Sequence, residues 1–305
     1  MDRLFRKRIV GKKVNVHKYL FSKLKSDEME ITMEKEMLAK IKLVCSDIDG
    51  TLVEEGKGGL NPEYYKEILR LKEKGIMFAV VSGRSYAGSK HLFEPVINDI
   101  IFINDNGAVL TYQGKTIKSH LLPSDLVKDM IADLKEELKE VTYISALTGS
   151  YALKKNQEFC RILREDFSLQ VIELDCLPES LPQDAGVLSM GMFDPVDAEE
   201  AVGHEFIDKW NQHELIQAVP GGKFWFNIIQ RNVDKGVALR EIMEMYNIAP
   251  EEVIVIGDNM NDMGMLTCVP NSVAIGNARE EVKAVCRYVA DTNVNDGVLQ
   301  ILKRL

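Results

Sequence analysis

Two aspartates stand two residues apart in Leu43-Val-Cys-Ser-Asp47-Ile-Asp49-Gly50-Thr51-Leu52, directly after an apolar run. In an extended strand, residues i and i+2 share a face. Asp47 and Asp49 are therefore expected to converge at the strand's carboxyl end, with Ile48 turned into the core. Two carboxylates held that close repel unless a cation, a shared proton or strong hydrogen bonds compensate. Such a pair suits a hard-metal site with a carboxylate nucleophile beside an acid/base. A D-x-D-G segment can equally be a plain turn, since Asp and Gly favour turns. A calcium loop fits worse: it needs Gly at its sixth position, which here is Leu52, and a preceding helix, where a strand is expected.

The pair must be held by a scaffold, and the surrounding pattern supplies one. From residue 41 strand and helix alternate: a strand at 41–46, a helix opened by Asn61-Pro62 and closed by Gly75, and a strand at 76–81 ending at Ser82-Gly83-Arg84. A strand at 100–103 then ends at Asn104-Asp-Asn-Gly107. The middle reads differently. A helix over 124–140 carries Val127, Met130, Ile131, Leu134 and Leu138 at helical spacing. Strands follow near 141–146, 150–154, 170–174, 187–193, 214–219 and 224–230, with a helix near 197–211, as for helices on a mostly antiparallel sheet. After 233 the alternation returns, with a helix at 235–246 and a strand at 253–256 ending at Gly257-Asp258-Asn-Met-Asn261-Asp262. A strand at 273–275, a helix from Ala278 and a last helix from Asp296 follow. The expected fold is α/β: a doubly wound (Rossmann-like), mostly parallel sheet with an inserted α+β cap domain. The core comprises 41–111 and 229–305, and the cap 112–228. In such sheets sites lie at the carboxyl ends of strands, and Asp47/Asp49, Ser82 and Asp258/Asp262 all fall at that edge.

Asp47, Asp49, Ser82, Lys235 and Asp258 together suggest phosphate chemistry. Asp258 would add a third carboxylate for Mg²⁺, an ion that prefers oxygen ligands, and the ion would relieve repulsion between the acids and a phosphate dianion. Ser82 can donate to a phosphate oxygen beside the free amides of a helix start. Each has a plainer reading: Ser82 as a helix cap, Lys235 as an exposed lysine.

These segments resemble a family. Asp47-Ile-Asp-Gly-Thr-Leu52, Ser82-Gly-Arg84, Lys235-Gly236 and Gly257-Asp-Asn-Met-Asn-Asp262 are similar to the four motifs of the haloacid dehalogenase superfamily. Asn106-Gly-Ala108, Val273-Ala-Ile-Gly-Asn-Ala278 and Asp296-Gly-Val298 resemble its Cof-like sugar-phosphatase branch. The resemblance implies a phosphatase in which Asp47 attacks phosphorus and Asp49 is the acid/base. It implies Mg²⁺ on the Asp47 and Asp258 side chains and the Asp49 carbonyl. Phosphate would be held by Gly50, Thr51, Ser82, Gly83 and Lys235. Asn261 and Asp262 would complete the site, near the metal or by holding Lys235. Arg84 would order the site or form a structural salt bridge. The substrate would be a small phosphorylated metabolite, sugar phosphates first, chosen by the cap. A phosphomannomutase-like phosphosugar mutase and a non-catalytic phosphometabolite-binding protein are the alternatives.

Composition sets bounds. With 305 residues, 46% of them hydrophobic, the chain is long enough for two domains, and it has no apolar run of membrane-spanning length. Five cysteines without metal-type spacing read as buried thiols in a reducing, cytoplasmic compartment. Residues 1–25 hold nine Lys/Arg against Asp2, a net of +8; with −9 overall, the remainder sums to −17. An acidic body argues against nucleic acid as the main partner. The basic extension 1–40 departs from the family and lacks the apolar core of a signal peptide. Met33 or Met37 would also serve as a start, so part of it is expected to be dispensable. Gly114-Lys115-Thr116 fails as a P-loop end, because Val109 stands where the first Gly belongs. Phe224-Trp225-Phe226 is expected to be packing.

Overall fold

Fourteen strands among the described residues form two sheets. The computed structural model describes residues 35–54, 59–167, 169–220 and 224–305. The basic extension to residue 34 lies outside them.

The first sheet has the order β14-β13-β12-β1-β2-β3-β4-β5. Its strands are β1 (Leu43–Asp47), β2 (Met77–Val81), β3 (Ile101–Asn104), β4 (Val109–Tyr112), β5 (Lys115–Ser119), β12 (Val253–Gly257), β13 (Asn271–Ala274) and β14 (Tyr288–Val289). β14 through β3 run parallel, and β4 and β5 add an antiparallel edge. β1 lies between β12 and β2, and every residue of β1 and β12 is buried, as strands covered on both faces require. Helices α1 (Glu63–Glu73) and, later in the chain, Lys235–Met245 are among those that flank it.

The second sheet has the order β10-β11-β9-β6-β7-β8, antiparallel except for the β7–β8 pair. It comprises β6 (Thr142–Ala146), β7 (Gly149–Leu153), β8 (Val171–Leu174), β9 (Val187–Phe193), β10 (Ile216–Pro220) and β11 (Trp225–Gln230). One face, with Ile144, Met190, Met192, Phe226 and Ile228, packs on helices α2 (Ser124–Asp133) and α3 (His204–Asn211) through Val127, Met130, Ile131, Phe206 and Trp210. Trp225 packs against Phe193, Phe159 and Phe167.

Several boundaries differ from expectation. The first sheet runs past residue 111 to Ser119, because β5, whose polar sequence Lys-Thr-Ile-Lys-Ser gives no apolar alternation, pairs with β4 as its exposed edge. The helix expected over 124–140 is two: α2 ends at Asp133, Leu134 and Lys135 are extended, and Glu136–Lys139 forms a separate turn. Val127, Met130, Ile131, Leu134 and Leu138 all remain buried, so the apolar spacing is blind to the break. Glu136 and Glu137 favour a new helix start there. The helix near 197–211 likewise divides at Gly203, whose φ of 83° ends Ala198–Val202 before α3 begins. No described helix is long and apolar enough to cross a membrane, and all five cysteines are free.

Candidate active site

β12, β1 and β2 are neighbours, so their carboxyl ends set Asp258, Asp47 and Ser82 side by side. Asp47 is the last residue of β1 and is 5% exposed. The strand stops there: the amides of Thr51, Leu52 and Val53 all turn back to the Ile48 carbonyl, and Gly50 N donates to Val53 O. This changes the expected pair. Asp49 lies beyond the strand end, and its carboxylate faces Arg84, which donates from Nε at 2.8 Å and Nη2 at 2.5 Å. The carboxylates that cluster are Asp47, Asp258 and Asp262, with one oxygen of each lying within 4.8 Å of the others.

Lys235 begins the helix Lys235–Met245, now α4, which Asp234 caps by accepting from Val237 N at 2.7 Å. The helix start comes close to residue 264 because position 236 is glycine: a Cβ there would sit 2.3 Å from Gly264 O. Lys235 is 1% exposed, and its Nζ donates to Asp47 Oδ1 and Asp262 Oδ1, each at 2.6 Å. Asp262 Oδ2 accepts from the amides of Asp258 and Asn259 at 2.9 and 3.0 Å. Both Asp262 oxygens are thus committed, and Asp262 holds Lys235 and the Asp258 loop. Asn261 is exposed and donates to Asn106 Oδ1 at 3.2 Å.

Thr51, fully buried, donates from Oγ1 to Asp258 Oδ1 at 2.7 Å. Gly50 and Thr51 were expected to contact phosphate, yet their amides and the Thr51 hydroxyl are already engaged within the chain. What they contribute here is close approach and a hold on Asp258. Gly50 has φ +82°, and a Cβ would lie 2.5 Å from Asp258 Oδ2. Gly50→Ala therefore forces an unfavourable backbone and pushes the Asp258 carboxylate aside. Turnover is expected to fall about 100-fold, the scale of a roughly 1 Å misplacement. Wild-type kinetics in this variant would refute the packing argument. Ser82 is 1% exposed and its Oγ accepts from Arg84 N at 3.1 Å, while Gly83 lies against the Asn106 side chain.

Burial pushes the Asp47 carboxyl upward, and Asp262 and Asp258 add repulsion that Lys235 offsets in part. Asp258 is pushed up to about 6, again chiefly by burial. Burial works against the Lys235 ammonium, but Asp262 and Asp47 outweigh it and its pKa is raised. Three acids against one buried cation leave excess negative charge, and the donor set is all oxygen. A hard divalent cation fits these residues.

Residue reasoning alone did not single out two side chains that brace the site. Asn277 Nδ2 donates to Gly50 O at 2.7 Å, and Asn293 Nδ2 to Val53 O at 3.3 Å. Position 277 falls within the Cof-like segment 273–278, which was the available signal.

Fold and site together define a doubly wound α/β protein with a buried acid–lysine cluster at the carboxyl edge of its parallel strands. The chain belongs to the family described as haloacid dehalogenase-like hydrolase, which matches residues 44–302. It is a phosphatase of the haloacid dehalogenase type, of the Cof-like branch that its motifs resemble. Over 271 residues it is 28% identical to 5-amino-6-(5-phospho-D-ribitylamino)uracil phosphatase YbjI of Escherichia coli K12, covering 87% of this chain and 96% of that one. It is 26% identical to phosphatase YwpJ of Bacillus subtilis, covering 87% and 100%. A crystal structure from Eubacterium rectale is 30% identical, with a TM-score of 0.78, covering 87% of this chain and 98% of that one.

Proposed function

We propose that the protein is a Mg²⁺-dependent phosphomonoesterase acting on small phosphorylated metabolites, sugar phosphates first, through an aspartyl phosphate on Asp47. The observation that carries this reading is the buried Asp47 carboxylate, fixed on Lys235 and grouped with Asp258 at the carboxyl edge of the sheet. The named relatives support the substrate class, YbjI being a phosphatase of a phosphorylated ribityl compound.

Asp47 and Asp258 would hold the ion through side chains and Asp49 through its carbonyl. When bound, Mg²⁺ would neutralise the acids and the incoming phosphate. An Asp47 oxygen attacks phosphorus in line, and the bond to the leaving oxygen breaks as that oxygen takes a proton from Asp49. Asp49 then takes a proton from a water that attacks phosphorus, releasing orthophosphate and restoring Asp47. For either step the Arg84 pair must open, since Arg84 engages both Asp49 oxygens. Lys235 and Ser82 steady the transferring group. The six-stranded domain, which lies in the chain between β5 and α4, acts as the cap that excludes water and reads the leaving group.

The test is orthophosphate release from p-nitrophenyl phosphate and from a panel of sugar phosphates, without a bisphosphate activator. EDTA is expected to abolish turnover and Mg²⁺ to restore it. Turnover that survives EDTA would refute the metal assignment. Phosphate transfer dependent on a bisphosphate would favour the mutase, and binding without turnover the non-catalytic reading.

A further inference from the structure

Asp105 lies in the turn between β3 and β4 and is 4% exposed. Its φ of 49° is one a non-glycine residue seldom adopts. Its backbone is tied to the catalytic edge: Asp105 N donates to Arg84 O at 2.9 Å, and Asn106 N donates to Ser82 O at 3.0 Å. Its side chain points into the other sheet. Asp105 Oδ1 accepts from Ser189 Oγ of β9 at 2.8 Å, across 84 residues of sequence. Oδ2 is buried without a hydrogen-bond partner. Ser145, paired with Ser189 across the β6–β9 ladder, and Tyr143 on the same face both sense this carboxylate. A buried carboxylate supported only by serine hydroxyls is unfavourable to keep charged, and no step of the proposed chemistry uses it.

We propose that Asp105 is the positioning residue that registers the cap over the catalytic edge, its backbone locked to the Ser82–Arg84 loop and its carboxylate to Ser189. The proposal deepens the phosphatase reading and rests on it for the meaning of the cap. Closing strips water from the carboxylate, and opening returns it. Burial accordingly pushes Asp105 from 3.8 up to about 6. The sign follows: the closed form binds the proton more tightly, so closure is favoured in full below about pH 4 and weakens as pH rises through about 6. The groups facing Asp105 do not obscure this. Tyr143 is pushed up to about 12 and stays neutral, Ser145 and Ser189 do not titrate, and Arg84 contributes only its carbonyl.

The test is hydrogen–deuterium exchange of segments 104–107 and 187–191 in the full chain, corrected for intrinsic pH dependence, beside KM and kcat for p-nitrophenyl phosphate. Asp105→Ala is expected to raise exchange in 187–191 about tenfold and to raise KM more than kcat changes. Asp105→Asn, whose carbonyl still accepts from Ser189, should keep at pH 5 the protection and KM of the wild type. It should lose the fall in protection that the wild type shows between pH 5 and 7.5. Ser189→Ala leaves the turn itself intact and should raise exchange at 104–107, which covers the case of an Asp105→Ala protein that does not fold. Wild-type exchange in Ser189→Ala, a pH-independent wild type, or an Asp105→Asn protein that behaves like Asp105→Ala would each overturn the proposal. The exchange readout needs no turnover, so an inactive wild type would sink the phosphatase reading without deciding this one.

Discussion

Asp47→Asn is expected to cut Mg²⁺-dependent turnover of p-nitrophenyl phosphate by at least about 1,000-fold, the scale seen when a nucleophile is removed. The fold should be untouched, for reasons visible around the residue. The amide oxygen can still accept from Lys235, and Lys235 keeps its second partner, Asp262, at 2.6 Å. One of three mutually repelling acids also becomes neutral, at a position where burial already disfavours the charge. The metal-free variant should therefore melt at or slightly above the wild-type temperature. Loss of activity with an unchanged or raised melting temperature separates a missing nucleophile from a damaged scaffold. Asp49→Asn provides the contrast: its nucleophile is intact, so a rapid burst of p-nitrophenol, close to one per enzyme, should precede a much slower steady state. Steady turnover by the Asp47 variant would end the aspartyl-phosphate reading.

The parts of the site that could be read from sequence are those fixed by one strand end each. Asp47, Ser82 and Asp258 each follow an apolar run, and the rule that sites lie at carboxyl ends of parallel strands brings them together without coordinates. What strand periodicity could not give is where a strand stops. Asp47 and Asp49 share a face only if the strand continues, and the turn closing on the Ile48 carbonyl sends Asp49 to Arg84 instead. The open choice for Asp262 needed coordinates too, because a carboxylate that grips a lysine and two amides looks the same in sequence as one that grips a metal. The least visible feature is the contact between Asp105 and Ser189. A serine on a strand carries no pattern, and a pairing across 84 residues leaves none. β5 was hidden for a related reason: an exposed edge strand has no apolar face to show.

Lys235→Met should destabilise the metal-free protein by about 3–5 kcal/mol, the cost of removing one partner from a buried charge cluster. Methionine is also long and unbranched, so the loss would come mainly from charge and little from a cavity. With the ammonium gone, Asp47 and Asp262, 5% and 0% exposed, face each other with no cation between them. Turnover should fall as well, because the transferring phosphoryl group loses a fixed positive charge. These two effects have separate origins and can be divided. In Lys235→Met/Asp262→Asn the repulsion is removed, while the Asn carbonyl can still accept from the amides of Asp258 and Asn259, as Asp262 does now. Stability measured by urea unfolding should recover most of the loss, a coupling between contacting residues that single variants would miss. Activity should stay absent, since neither substitution returns a cation to the phosphate. If Lys235→Met is as stable as wild type, the buried lysine does not balance the acids. If the double variant regains turnover, Lys235 serves the fold alone.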